Sequence, residues 1–212
     1  VPRISCIAAL AVLALAGIAM PEARAQETAR GRQLFQLCAQ CHGDAGQGDV
    51  RYQAPAIGGL EPWYIERQLV KFKQGARAYH QDDASGLQMR PMVRALRNDA
   101  DLKAVVAYAA SLAPPPPATT MRGDPERGKA AYATCVACHG DRGQGNQALN
   151  APKLAGQADW YVASQLRKFK AGLRGTHPND PTGALMRPMA MPVPDEAIPD
   201  LVAYIRTLPA SR

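Results

Sequence analysis

The sequence predicts an all-α protein built as two tandem copies of one small helical unit. Three observations carry that prediction. The two halves align at a constant offset of 97 residues, so that Gly31, Phe35, Trp63-Tyr64 and Met89-Arg90-Pro91-Met92 meet Gly128, Tyr132, Trp160-Tyr161 and Met186-Arg187-Pro188-Met189. Apolar residues recur at the three-to-four spacing of a buried helix face, and no convincing alternating run marks a strand. A tetraproline, Pro114–Pro117, separates the copies as a semi-rigid extended spacer.

Residues 1–25 read as an export signal: Arg3, then an apolar run from Ile4 to Met20, then Ala23-Arg24-Ala25 as an A-x-A cleavage site. The run is only slightly short of a membrane span, so an uncleaved anchor is the competing reading. The expected parts are then residues 26–113 as the first domain, 114–120 as the linker and 121–212 as the second domain.

The formal charge of the 212-residue chain is +7. Removing residues 1–25 takes away Arg3, Arg24 and Glu22 and leaves 23 basic against 17 acidic side chains. The basic residues are scattered among acids as on a solvated surface, which argues against nucleic acid as a partner. Much of the excess lies in the second half, at Arg167, Lys168, Lys170 and Arg174 among others, and is expected to steer acidic partners.

The first helix of each unit is expected from about Thr28 to the cysteines, and its copy opens with Asp124 as a cap and Pro125 in the first turn. Gly31 and Phe35 share a face, with the glycine permitting close approach of another helix. Each first helix leads into a C-x-x-C-H motif: Cys38, Cys41 and His42, then Cys135, Cys138 and His139. Disulfide, thioredoxin-like and zinc readings of a C-x-x-C pair do not require the adjoining histidine. Two thiols one turn apart can add to the two vinyl groups of one porphyrin, and the imidazole then reaches its iron. Two motifs therefore predict two covalent haem c groups, and Cys6 leaves with the signal, so no structural disulfide remains.

Middle helices are expected over Pro62–Gln74 and Asp159–Ala171, each stopped by a glycine. Phe72 and Phe169 read as core, whereas Trp63, Tyr64, Trp160 and Tyr161 stand at the helix starts, where a polar ring atom could reach a haem propionate. Last helices are marked by Leu102, Val105, Val106 and Ala109, and by Ile198, Leu201, Val202 and Ile205. Pro199 is tolerable only in a first turn, so the second of these should begin near Asp195 or Glu196.

The face of each iron opposite its histidine decides between carrier and catalyst, and the repeat offers three candidate pairs: Met89/Met186, Met92/Met189 and His80/His177. The histidines read instead as loop organisers, followed by Asp82 and Asp180 and by Gly86 and Gly183. At this point the chain resembles the dihaem cytochrome c4 family, a tandem pair of class I cytochrome c domains, each wrapped around one covalent haem. The resemblance covers Gln26 to the carboxyl end. It implies a ligand methionine about seven residues before the hydrophobic residue leading into the last helix; with Leu96 and Val193 in that place, the ligands are Met89 and Met186. Leu96-Arg97-Asn98-Asp99 and Val193-Pro194-Asp195 depart from the family's usual helix opening, so Met92 and Met189 stay as runners-up.

These observations describe a periplasmic carrier of single electrons between a membrane dehydrogenase and a terminal oxidase or reductase, soluble or peripherally associated with the membrane. Two alternatives stand beside it: a dihaem redox enzyme, thiosulfate dehydrogenase-like or peroxidase-like, which needs an open or unusual iron ligand, and a cytochrome subunit of a dehydrogenase complex.

Overall fold

The computed structural model describes residues 19–209. Most of the segment read as an export signal lies outside them. The first helix, α1 (Ala19–His42), passes through Ala25 without a break. The remaining helices of the first half are α2 (Pro62–Lys73), α3 (Ala84–Arg94) and α4 (Asp99–Ser111). The second half holds α5 (Pro125–Tyr132), α6 (Val136–His139), α7 (Asp159–Lys170), α8 (Pro181–Ala190) and α9 (Ile198–Thr207). Among the described residues the extended pairing is confined to two isolated bridges, Asp49 with Ala54 and Asn146 with Ala151.

Each half has its own core, formed where its first and last helices cross. Phe35 is 1% exposed among Leu102, Val105 and Val106; Tyr132, also 1% exposed, lies among Leu201, Val202 and Ile205. Burying such a side chain contributes about 1.5–3 kcal/mol. The crossing is close because of glycine: a methyl on Gly31 would collide with the Ala104 carbonyl oxygen, and one on Gly128 with that of Asp200. Each crossing is completed by a tilted aromatic pair, Phe35–Tyr108 at 5.4 Å and Tyr132–Tyr204 at 5.3 Å between ring centroids.

Beyond the first, middle and last helices expected of each unit, the structure adds α3 and α8, which carry the methionines. Both hold a proline, Pro91 or Pro188, inside the helix, which reads as a breaker because it deletes one backbone bond. The helices form nonetheless because their first turns are capped: Asp83 accepts from the Gly86 amide at 3.1 Å and Asp180 from that of Gly183 at 2.9 Å. Asp83, not Asp82, is thus the counterpart of Asp180. In the second half the first helix breaks after Tyr132 and resumes at Val136, whereas α1 is continuous to His42. Before α9 a single 3-10 turn, Asp195–Ala197, absorbs the approach, and Pro199 stands in the first turn of α9.

Candidate functional site

The end of α1 delivers His42 to the interior, where it is 4% exposed, and α6 does the same for His139 at 6%. In both, Nδ1 donates to a proline carbonyl across a glycine-rich loop: His42 to Pro55 at 2.8 Å and His139 to Pro152 at 2.8 Å. The loop closes because Gly48 and Gly145, with φ of +81° and +82°, return their amides to the carbonyls of His42 and His139 at 2.7 and 2.8 Å. Burial lowers the pKa of both imidazoles, against the proline carbonyl bond, which favours the charged form. A neutral ring with Nδ1–H so engaged turns a free Nε2 lone pair to the interior, the orientation a metal-ligating histidine takes.

The cysteines are free thiols on the same segments. Cys38 and Cys135 are half-buried and Cys41 and Cys138 exposed. Before any porphyrin is attached, burial pushes the Cys38 thiol up to about 11 and raises that of Cys135.

On α3 and α8, Met89 and Met186 are half-buried against the two cores. Met92 and Met189 point outward, 38% and 46% exposed. His80 and His177 sit in the loops before these helices, where Nδ1 accepts the backbone amides of Asp82 at 3.2 Å and Asn179 at 3.0 Å. His177 also meets the ring of Tyr79 edge-on at 4.7 Å.

Between the halves lies a polar seam. Arg77 donates to Gln68 at 3.1 Å and across to Gln165 at 3.5 Å, and Arg174 donates to Gln165 at 2.7 Å and across to Gln68 at 3.2 Å. Tyr64 bonds to Arg174 and Tyr161 to Arg77, which gives these rings cross-domain partners. Each guanidinium stacks over the phenylalanine of its own half, Phe72 at 4.2 Å and Phe169 at 4.6 Å. Yet Nε of both arginines is shut off from solvent without an acceptor in the protein. A buried guanidinium N–H without a partner suits a carboxylate, and haem carries two as propionates; with the histidine orientation and the free thiol pairs, the residues present fit haem.

The seam is where sequence reading missed most. Lys71 and Lys168, Asp83 and Asp180, Gln68 and Gln165, Arg77 and Arg174 stand 97 positions apart, and their repetition was the available signal. The expected basic surface of the second half is also corrected. Lys168 pairs with Asp83 at 2.5 Å, Lys170 with Asp195 at 2.5 Å, and Arg174 lies in the seam, so of the four residues named for steering only Arg167 is an exposed side chain.

The family profile of cytochrome c matches this chain twice, over residues 28–113 and 125–209. The cytochrome c4 of Thiocapsa roseopersicina is 33% identical over 185 residues, which span 81% of this chain and 87% of that protein. The chain belongs to the cytochrome c family, in its cytochrome c4 group. This cytochrome accordingly takes two covalent haem c groups, one at each C-x-x-C-H motif. It is also 33% identical, over 164 residues and 72% of each chain, to a thiosulfate dehydrogenase electron acceptor of Stutzerimonas stutzeri (strain A1501). The solved thiosulfate dehydrogenase TsdBA of Marichromatium purpuratum superposes on 87% of the cytochrome with a TM-score of 0.68 and 32% identity. The cytochrome spans 42% of that longer chain.

Proposed function

We propose that this cytochrome is an exported, periplasmic electron carrier that is not itself a catalyst. The observation that carries the reading is the repetition of one donor set: each half holds a buried imidazole fixed through Nδ1 and a half-buried methionine on a capped helix. His42 and Met89 would hold the first iron, His139 and Met186 the second, while Cys38, Cys41, Cys135 and Cys138 fix the porphyrins as thioethers. Haem supplies a one-electron couple, and Met/His ligation raises its potential. Burial of both histidines would keep water from the iron–imidazole bond, and the Arg77–Arg174 seam would meet the propionates and hold the two groups in one orientation. A carrier of this kind passes single electrons between a membrane dehydrogenase and a terminal oxidase or reductase. None of the described helices is long and apolar enough to cross a membrane.

The name of the Stutzerimonas stutzeri relative favours one donor, a thiosulfate-oxidising dehydrogenase, with this cytochrome as acceptor or subunit rather than as the site of sulfur chemistry. The test is addition of carbon monoxide to the reduced holoprotein and of cyanide to the oxidised form. The carrier reading expects both spectra to stay unchanged at low millimolar ligand. Stoichiometric carbon monoxide binding to one haem of the native protein would instead establish an open iron and a catalytic role.

A further inference from the structure

The rim of the Met89 helix is charged differently from the rim of its repeat. Lys73, Arg90, Arg94 and Arg97 gather where the end of α2 meets α3 and the loop into α4. Lys73 donates to the Leu96 carbonyl at 3.3 Å, and the Arg90 guanidinium lies over Gly75, 3.3 Å from where a Cβ would stand. Arg94 and Arg97 are exposed, and none of these four cations forms an ion pair among the described residues. The carboxylate adjoining them in sequence is Asp99; Asp101 is paired with Arg30 at 2.8 Å and also attracts Arg97.

The second half keeps the backbone and loses most of the charge. Lys170 donates to the Val193 carbonyl as Lys73 does to Leu96, and is neutralised by Asp195 at 2.5 Å. Arg187 remains beside Gly172, but Gln88 and Arg94 are replaced by Leu185 and Met191, 68% and 52% exposed, and Arg97 by Pro194. Counting Asp99 on one side, and Arg167, Asp195 and Glu196 with Lys170 and Arg187 on the other, the first rim keeps three positive charges and the second keeps one. Elsewhere Arg30, Arg51, Arg127, Lys71 and Lys168 each have a carboxylate within 2.8 Å. Like charges crowded on one rim repel one another, and the Leu96 carbonyl at Lys73 and the Asp101 carboxylate near Arg97 offset only part of that cost.

We propose that Lys73, Arg90, Arg94 and Arg97 form the docking face for an acidic redox protein, which makes the first half the electrostatically steered port for electrons. The proposal rests on the carrier reading. Arg94 lies five residues beyond Met89 on the same helix, about 7.5 Å along its axis, so a partner seated there adjoins the first haem. One electron leaves the reduced partner and takes the ferric iron to ferrous, with no proton or bond transferred. The more weakly charged rim of the second half leaves the two ports distinguishable by salt.

The experiment is stopped-flow reduction of the oxidised holoprotein by reduced cytochrome b5, a small haem protein with an acidic face, across ionic strengths at which the screening length falls from about 30 Å to about 3 Å. The wild-type rate should fall about tenfold or more. Arg94→Gln/Arg97→Gln should lose about tenfold at low salt and flatten the dependence, with Arg97→Gln alone intermediate. Lys129→Gln/Arg142→Gln, two exposed cations of the second half, should stay within about twofold of wild type because they lie off this rim. Unchanged potentials and an unchanged methionine charge-transfer band certify each variant as folded. A salt-independent wild-type rate, or an equal loss in the second-half variant, overturns the proposal. So does loss of binding to phosphatidylglycerol vesicles by Arg94→Gln/Arg97→Gln with its cytochrome b5 rate intact, which would make the rim a membrane face. Exchange that proceeds without salt dependence sinks the docking face alone; carbon monoxide binding to the native protein sinks the carrier reading.

Discussion

The Lys71 ammonium lies 2.5 Å from the carboxylate of Asp180, 109 residues away in the other half, with both side chains nearly sealed from water. Lys168 repeats the contact with Asp83 at 2.5 Å, and Thr182 and Ser85 complete the two sets. The halves therefore meet about a pseudo-two-fold axis on which each contributes the same cation and the same carboxylate.

Removing one member of such a pair leaves the other buried and uncompensated, at a cost of about 3–5 kcal/mol. Asp180→Ala should therefore undock the halves, read as faster proteolysis at the Pro114–Pro117 linker and a lower urea midpoint. Lys71→Met/Asp180→Asn, which leaves neither charge but keeps a capping oxygen for the Gly183 amide, should recover most of that loss. A double variant as unstable as the single would show that the pair contributes net stability.

Met89→Ala should turn the first haem high-spin or let it take up water, lower its potential, and leave the second haem's spectrum intact, since His139 and Met186 belong to the other core. Met186→Ala should give the mirror result. Met92→Ala and Met189→Ala should keep the charge-transfer band near its wild-type intensity, because both side chains point outward. Loss of that band in Met92→Ala with survival in Met89→Ala would move the ligand by one turn of α3; dependence on His80→Ala alone would select bis-histidine ligation.

Denatured protein from a host with haem-c maturation should retain two haems by intact mass. Cys135→Ala/Cys138→Ala should retain one, at the first motif. Retention of fewer than two by the fully matured wild type would reject the attachment sites.

Asp159 sets the linker against the second half. Its carboxylate, 1% exposed, accepts from the Thr120 amide and hydroxyl at 2.8 and 2.6 Å and from the amides of Met121 and Trp160 at 2.9 and 2.7 Å. Burial alone would raise its pKa, but the bonds from Thr120, Met121 and Trp160 outweigh it and hold it below the usual carboxylate range. Because the folded value lies below the unfolded one, the stabilisation is fully present above about pH 4 and lost as pH falls through the folded value. Asp159→Ala should cost about 1–3 kcal/mol at neutral pH and weaken the loss of stability on acidification, as measured by urea unfolding across pH. An unchanged acid limb in that variant would assign the pH dependence to other carboxylates.

The sequence by itself determined whatever is encoded within a few residues or by the repeat. The attachment motifs are contiguous, Gly31 and Gly128 follow from their position one turn before an aromatic, and the last helices follow from apolar spacing, so each was legible without contacts. The methionine helices were not, because Pro91 and Pro188 weigh against a helix locally and only the caps from Asp83 and Asp180 restore it. The fate of the charges was decided by tertiary structure alone. Lys168 and Arg167 are neighbours of the same sign in the chain, yet one is drawn into a seam facing Asp83 and the other left in water. Lys73 and Lys170 occupy one position of the repeat and bond to equivalent carbonyls, and only the placement of Asp195 makes one neutral and the other part of a charged rim. Charge neutralisation acts through space over a few ångströms, so linear order, which sets helical periodicity, does not encode which ions meet.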